Sequence, residues 1–159
     1  MTKILIIGYS SLVKRRIISS LIRKNIPYDI ASRSKKQKDF KAENWYHGYT
    51  EAINNSDAEI AYISLPNSLH YIWAMKTLKK GFHTLVDKPA TINLDQLNRL
   101  IKVAKKRKKV FSEAIFFNYH TQIKSVLNEI KKNKVLRINA NFSIPKPDKN
   151  SILSSKKLK

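Results

Sequence analysis

The sequence predicts an α/β fold, a doubly wound and mostly parallel sheet. Three observations predict it. Short apolar runs such as Ile4-Leu5-Ile6-Ile7 alternate with longer amphipathic stretches from the start of the chain. Gly8, Pro66 and Pro89 stand just behind three of those runs and close them. The stretches between them carry apolar residues at helical spacing. Strands that alternate with helices imply a parallel sheet covered on both faces, with ligands at the carboxyl ends of the strands.

The elements follow in order. Residues 3–7 read as a buried strand ended by Gly8. Residues 11–25 read as a helix, with Leu12, Ile17, Ile18, Leu21 and Ile22 expected on its buried face. Pro27 breaks the chain before a strand at 28–32, and a polar, basic loop runs from 33 to about 43. Trp45 and Tyr46 suit a short strand, and 50–55 a short helix capped by Thr50 or the turn at Gly48. Residues 60–64 form the fourth strand. Asn67–Lys80 forms a helix ended by Gly81, with Lys79 and Lys80 complementing its negative end. Residues 83–87 are the fifth strand. Asn93 is a good N-cap, with Gln96 three residues on as in a capping box, for a helix carrying Leu97, Leu100, Ile101 and Ala104. A sixth strand is expected at 110–114, a helix at 122–132 and a last, alternating strand at 135–144. Six strands up to residue 114 fit a doubly wound Rossmann domain. The expected organisation is a nucleotide-binding domain over 1–120, a helix and strand over 121–147, and a basic tail over 148–159.

A length of 159 residues allows one domain with a real core. With no cysteine there is neither a disulfide framework nor a thiolate metal site, and no metal is expected. No run of about 18 apolar residues exists to span a membrane. The first apolar run is too short for a signal peptide, so a cytoplasmic location is expected. The net charge is +21, a field that attracts polyanions. Lysine outnumbers arginine 25 to 7, however. Lysine is a hydrated point charge, whereas arginine is the usual forked reader of phosphate. The charge therefore reads as a solvated surface, with no specific nucleic-acid partner.

Four motifs carry chemistry. Gly8-Tyr9-Ser10-Ser11-Leu12-Val13 stands where a dinucleotide fingerprint would, with only the first of three glycines. Gly8 suits the tight turn. Ser10 is small enough for close approach of a pyrophosphate and has a hydroxyl to donate to it, while Val13 replaces the residue that allows close helix–strand packing. On this motif alone a nucleotide site and a plain strand–helix turn both fit. Behind the second strand, Ser32-Arg33-Ser34-Lys35-Lys36 holds no acid for ribose hydroxyls. Its donors and positive charges suit a 2′-phosphate. Leu65-Pro66-Asn67-Ser68-Leu69-His70 leaves the fourth strand; a lone His at a helix start is usually structural. Asp87-Lys88-Pro89 leaves the fifth strand, where Lys88 is placed to hold a substrate oxygen or share its proton. Pro89 fixes the exit direction and is a candidate for a cis bond.

As a set these residues resemble the glucose–fructose oxidoreductase, inositol dehydrogenase and MocA (Gfo/Idh/MocA) family. Residues 8–16 resemble its variant fingerprint with Ser at the second glycine position. Residues 62–70 resemble its strand-four motif, and residues 81–89 its Glu-Lys-Pro motif, with Asp87 for Glu. Residues 113–122 resemble a later motif that usually ends in His-Pro-Gln. The resemblance runs from Lys3 to about Lys146, in order and with matching spacing. It implies Lys88 as the residue at the substrate hydroxyl or ketone, aided by Asp87. It implies Gly8, Ser10, Ser11, Leu12, Ser32, Arg33, Leu65, Pro66, Asn67, His70 and Lys88 as the cofactor site. The cofactor expected is NADP(H), with NAD(H) as the alternative. The branch with the closest look comprises NADPH-dependent ketoreductases of nucleotide-activated deoxysugars, so a sugar or nucleotide-sugar substrate is expected.

Family members are about twice this length, and their C-terminal α/β domain is expected to be missing or only begun here. The implied function is the NAD(P)-binding part of an oxidoreductase that moves hydride to or from a sugar-like alcohol or ketone. A separately encoded C-terminal half or a homo-oligomer is the expected protein partner. The competing readings are an inactive nucleotide-binding module and a polyanion-binding protein.

Overall fold

The computed structural model describes residues 2–33, 41–141 and 143. The chain divides into two units, Met1–Phe116 and Phe117–Lys159. The first contains one six-stranded sheet built from β1 (Ile4–Ile7), β2 (Tyr28–Ala31), β3 (Trp45–Tyr46), β4 (Ile60–Ile63), β5 (His83–Val86) and β6 (Phe111–Glu113). The strand order is β3-β2-β1-β4-β5-β6, and every pairing is parallel. This is the doubly wound order, with its switch point between β1 and β4.

The period of two along each strand divides the core between two faces. Ile6 and Tyr62 join Val13, Leu21, Tyr28 and Ile30 on one face. Leu5, Ile7, Ala61 and Ile63 lie in the other cluster. There they join residues of α2 (Tyr49–Asn55), α3 (Asn67–Lys80) and α4 (Leu94–Arg107). The helix ends follow the sequence signals. Gly81 takes a left-handed C-cap, and the Asn93 side chain accepts from the Gln96 amide at 2.9 Å.

The first helix keeps part of its expected face: Leu21 is buried, and Ile17 and Ile18 pack half-buried against the same cluster. It is wound as π over Val13–Ile17 before continuing as α1 (Ile18–Arg23). The wider repeat rotates the residues that follow. Val13 and Leu21 are buried, while Leu12 and Ile22 face solvent.

At the amino-terminal edge Lys3 forms a clasp. Its ammonium lies 3.0 Å from Asp29, 2.8 Å from Glu43 and 2.7 Å from Asp57. Asp29 is fully buried and also accepts from the Asn44 backbone amide and side chain and from the Ser56 hydroxyl. A buried carboxylate requires such partners.

The second unit contains α5 (Thr121–Lys132), whose N-cap His120 accepts from the Gln122 amide at 3.2 Å. The strand expected at 135–144 is not formed over 135–141. Alternation marks a face to be covered, but a strand forms only where a neighbour completes the ladder. No such neighbour stands among the described residues of this unit. Residues 142 and 144 lie outside the described residues.

Candidate functional site

The sheet register places the site. Ile7 pairs with Ala31 and with Ile63, and Ile63 pairs with Val86. The next residues, Ser32, Gly8, Ser64 and Asp87, therefore form a row across four strand ends. Backbone bonds lock the row. The Gly8 amide donates to Ala31, the Ser64 amide to Ile7 and the Asp87 amide to Ile63, each at 2.9 Å.

Gly8 is required where it stands. Its φ is +104°, and a Cβ there would meet the Ser64 carbonyl oxygen at 2.2 Å. Ser11 and Leu12 are exposed at the start of the helix and line a cleft with Arg15 and Arg16. Ser32 is buried and Arg33 is exposed, so Arg33 is the accessible member of that pair. Ser34, Lys35 and Lys36 lie outside the described residues.

Ser10 has partners within the fold. Its oxygen accepts from the Val13 amide at 3.2 Å and lies 2.8 Å from the Ser64 hydroxyl. Ser64 in turn donates to Asp87 Oδ2 at 2.7 Å. The single proton of Ser64 is thus committed, and the one between the serines comes from Ser10. In this arrangement the Ser10 hydroxyl donates to Ser64.

Beyond β4, Pro66 and Asn67 are exposed and Leu65 is half-buried. His70 is 0% exposed. Its Nδ1 lies 2.7 Å from the Pro89 carbonyl oxygen and its Nε2 2.7 Å from the Leu65 carbonyl oxygen. Its place is beneath the surface, tying the loop after β4 to the loop after β5.

The stretch from Asp87 to Ala90 is held at several points. Tyr62 donates its phenol proton to Asp87 Oδ1, as Ser64 does to Oδ2. Burial first, and then the Asp87 carboxylate, push the Tyr62 phenol well above its ordinary range, so it stays a donor. The Lys88–Pro89 bond is cis. Past it, the Ala90 amide donates to Glu113 Oε1 at 2.8 Å. Lys88 is exposed in the middle of this anchored stretch. Ser64, Tyr62 and Glu113 were not singled out as site residues by sequence. Ser64 directly follows a buried strand, a position that marks a turn and not a partner.

The row of strand ends, with Gly8 at the switch point and Lys88 two strands away, matches a known pattern over most of the chain. The model of the oxidoreductase family with an NAD-binding Rossmann fold, GFO_IDH_MocA, matches residues 2–115. The chain belongs to the Gfo/Idh/MocA oxidoreductase family. Within that family it is 30% identical over 126 residues to a dTDP-3,4-didehydro-2,6-dideoxy-alpha-D-glucose 3-reductase of Streptomyces violaceoruber. That match covers 75% of this chain and 37% of the relative. It is also 30% identical over 74 residues to a D-xylose 1-dehydrogenase (NADP(+)) of Hypocrea jecorina, covering 46% of this chain and 19% of the relative. Among solved structures it is similar to a 3-ketoreductase from Actinomadura kijaniata in complex with TDP-benzene and NADP, in an open conformation. There the TM-score is 0.76 at 27% identity, with 84% of this chain and 44% of that chain covered. The chain spans less than half the length of these Gfo/Idh/MocA relatives. No helix among the described residues is long and apolar enough to cross a membrane.

Proposed function

We propose that this chain binds NADP(H) along its strand ends and serves hydride transfer to or from a sugar-like alcohol or ketone carried on a nucleotide. The observation that carries the reading is the row Ser32–Gly8–Ser64–Asp87. It aligns the acid-free end of β2, the glycine turn and Lys88 along one edge of the sheet. The donor set fits a 2′-phosphorylated dinucleotide. Gly8 gives a close turn, Ser11 and Leu12 open the first helix, and Arg33 offers a charged fork where an NAD site would place a carboxylate. Leu65, Pro66 and Asn67 lie on the side of Lys88, where a nicotinamide ring belongs.

Bound there, the cofactor supplies or accepts the hydride. Lys88 gives a proton to the oxygen of a ketone as it is reduced, or takes one from an alcohol as it is oxidised. Asp87 is a positioning residue in this scheme, because both of its oxygens already accept hydroxyl protons. The relatives named above act on a dTDP-deoxysugar and on D-xylose, and one solved neighbour holds TDP-benzene with NADP. These chemistries support a nucleotide-sugar substrate. A cytoplasmic location belongs to the same proposal.

The test joins this chain to the C-terminal portion of the Streptomyces 3-reductase and measures turnover with NADPH and a dTDP-ketosugar. Lys88→Ala is expected to lower turnover by about 10²–10⁴-fold while NADPH affinity holds, the size of a lost general acid. Unchanged turnover in that variant contradicts the assignment.

A further inference from the structure

The polar bonds behind Lys88 share one direction. The Val13 amide donates to Ser10, Ser10 to Ser64, and Ser64 to Asp87. Tyr62 closes the far side of the same carboxylate. The first donor sits in the turn after β1, and the last acceptor is the residue before Lys88. Ser10 and Ser64 are 54 positions apart in the sequence, and neither the glycine turn nor the strand-five motif requires them to meet. A fingerprint with a second glycine at position 10 has no hydroxyl with which to begin such a chain.

We infer that Ser10 and Ser64 are positioning residues that couple the phosphate turn to the Asp87–Lys88 edge, so that a change at one is felt at the other. A hydroxyl that accepts a hydrogen bond becomes a better donor, so each link strengthens the next. An anion held in the turn competes for the Ser10 proton. Ser64 then loses its incoming bond and donates less strongly to Asp87, and the carboxylate beside Lys88 is held less firmly. The coupling itself is a property of the folded chain. Its use, linking cofactor occupancy to Lys88, rests on the hydride-transfer reading above.

The experiment uses the full 159-residue chain and two readouts. The first needs no cofactor. The Val13 amide resonance is followed by NMR in wild type, Ser64→Ala and Asp87→Asn. Asparagine at 87 keeps its shape but removes the charge to which Ser64 and Tyr62 donate and turns one of the two acceptors into a donor, so the last link of the chain weakens whichever way the amide faces. The coupling predicts that the Val13 amide shifts in both variants, although neither residue touches it. An unmoved Val13 amide in a folded Asp87→Asn variant overturns the inference, and this nearly isosteric change decides the matter if Ser64→Ala fails to fold.

The second readout is a double-mutant cycle for NADPH dissociation constants, pairing Ser10→Ala with Asp87→Asn. Coupled residues give a double loss that differs from the product of the single losses by about threefold or more. With Ser64→Ala in the background the two losses become multiplicative. A role for Ser64 that is only structural leaves the interaction factor unchanged, and this outcome also counts against the inference. If the chain binds no NADPH while the Val13 amide still responds to Asp87→Asn, the cofactor reading fails and the coupling stands.

Discussion

Ser10 and Ser64 meet hydroxyl to hydroxyl at 2.8 Å, across the ends of two neighbouring parallel strands. The contact depends on how closely the turn after β1 lies on the end of β4. Gly8 makes that approach possible, because its missing side chain leaves room for the Ser64 carbonyl.

Gly8→Ala therefore combines a positive φ with a backbone clash that no rotamer relieves. The φ penalty alone costs about 1–3 kcal/mol. The variant is expected to unfold at distinctly lower urea concentration and to lose NADPH binding. Wild-type stability in Gly8→Ala contradicts the packing described.

His70 lies between two carbonyl oxygens, a ring nitrogen 2.7 Å from each, in a fully buried position. His70→Ala leaves the Leu65 and Pro89 oxygens without these partners and opens a cavity. A loss of about 2–4 kcal/mol in unfolding free energy is expected. Hydrogen exchange should speed up at Ala90, just behind the released Pro89 carbonyl. Unchanged exchange there would place the loop's anchorage elsewhere, in Glu113 and Asp87.

The Lys3 clasp is a matter of stability, at the edge of the sheet remote from Lys88. Removing the ammonium leaves Asp29 buried without its counter-ion. Lys3→Ala is expected to cost about 3–5 kcal/mol, with little change at the strand-end site. The pH dependence has a defined sign. Burial opposes the Lys3 charge, but hydrogen bonds to Asp57, Glu43 and Asp29 outweigh it and raise its pKa above the ordinary 10.5. That contribution is complete below 10.5 and fades as the pH rises through the raised value. The hydrogen bond from Lys3 first, and its charge with it, lower the Asp57 pKa below the ordinary 3.8. That contribution is complete above 3.8 and fades as the pH falls through the lowered value. Urea titrations at several pH values check both limbs, and Lys3→Ala should weaken the acid one.

The sheet was legible because parallel strands buried on both faces read as short apolar runs closed by turn residues. Ile4–Ile7 and Ile60–Ile63 are such runs. The face of the first helix was legible only in part, at Ile17, Ile18 and Leu21. Its π turn breaks the period on which the assignment of Leu12 and Ile22 rested. Residues 135–141 alternate as a strand does, but pairing is a property of a neighbour and not of the segment. At the site, spacing located Gly8, Arg33 and Lys88 at strand ends. It could not reveal that Ser10 would turn inward, because its partner arrives from another strand through the register of β1 and β4. The buried place of His70 was equally hidden, since both atoms that its ring nitrogens meet belong to the backbone.

Calorimetric titration of the 159-residue chain with NADPH and with NADH decides whether the strand-end row holds a 2′-phosphorylated nicotinamide dinucleotide. NADPH is expected to bind more tightly than NADH. Arg33→Ala is expected to lose about 1.5–3 kcal/mol of NADPH affinity, one charge-assisted contact, while NADH affinity is nearly unchanged. Equal losses for the two cofactors, or no binding of either by the wild-type chain, would contradict that reading.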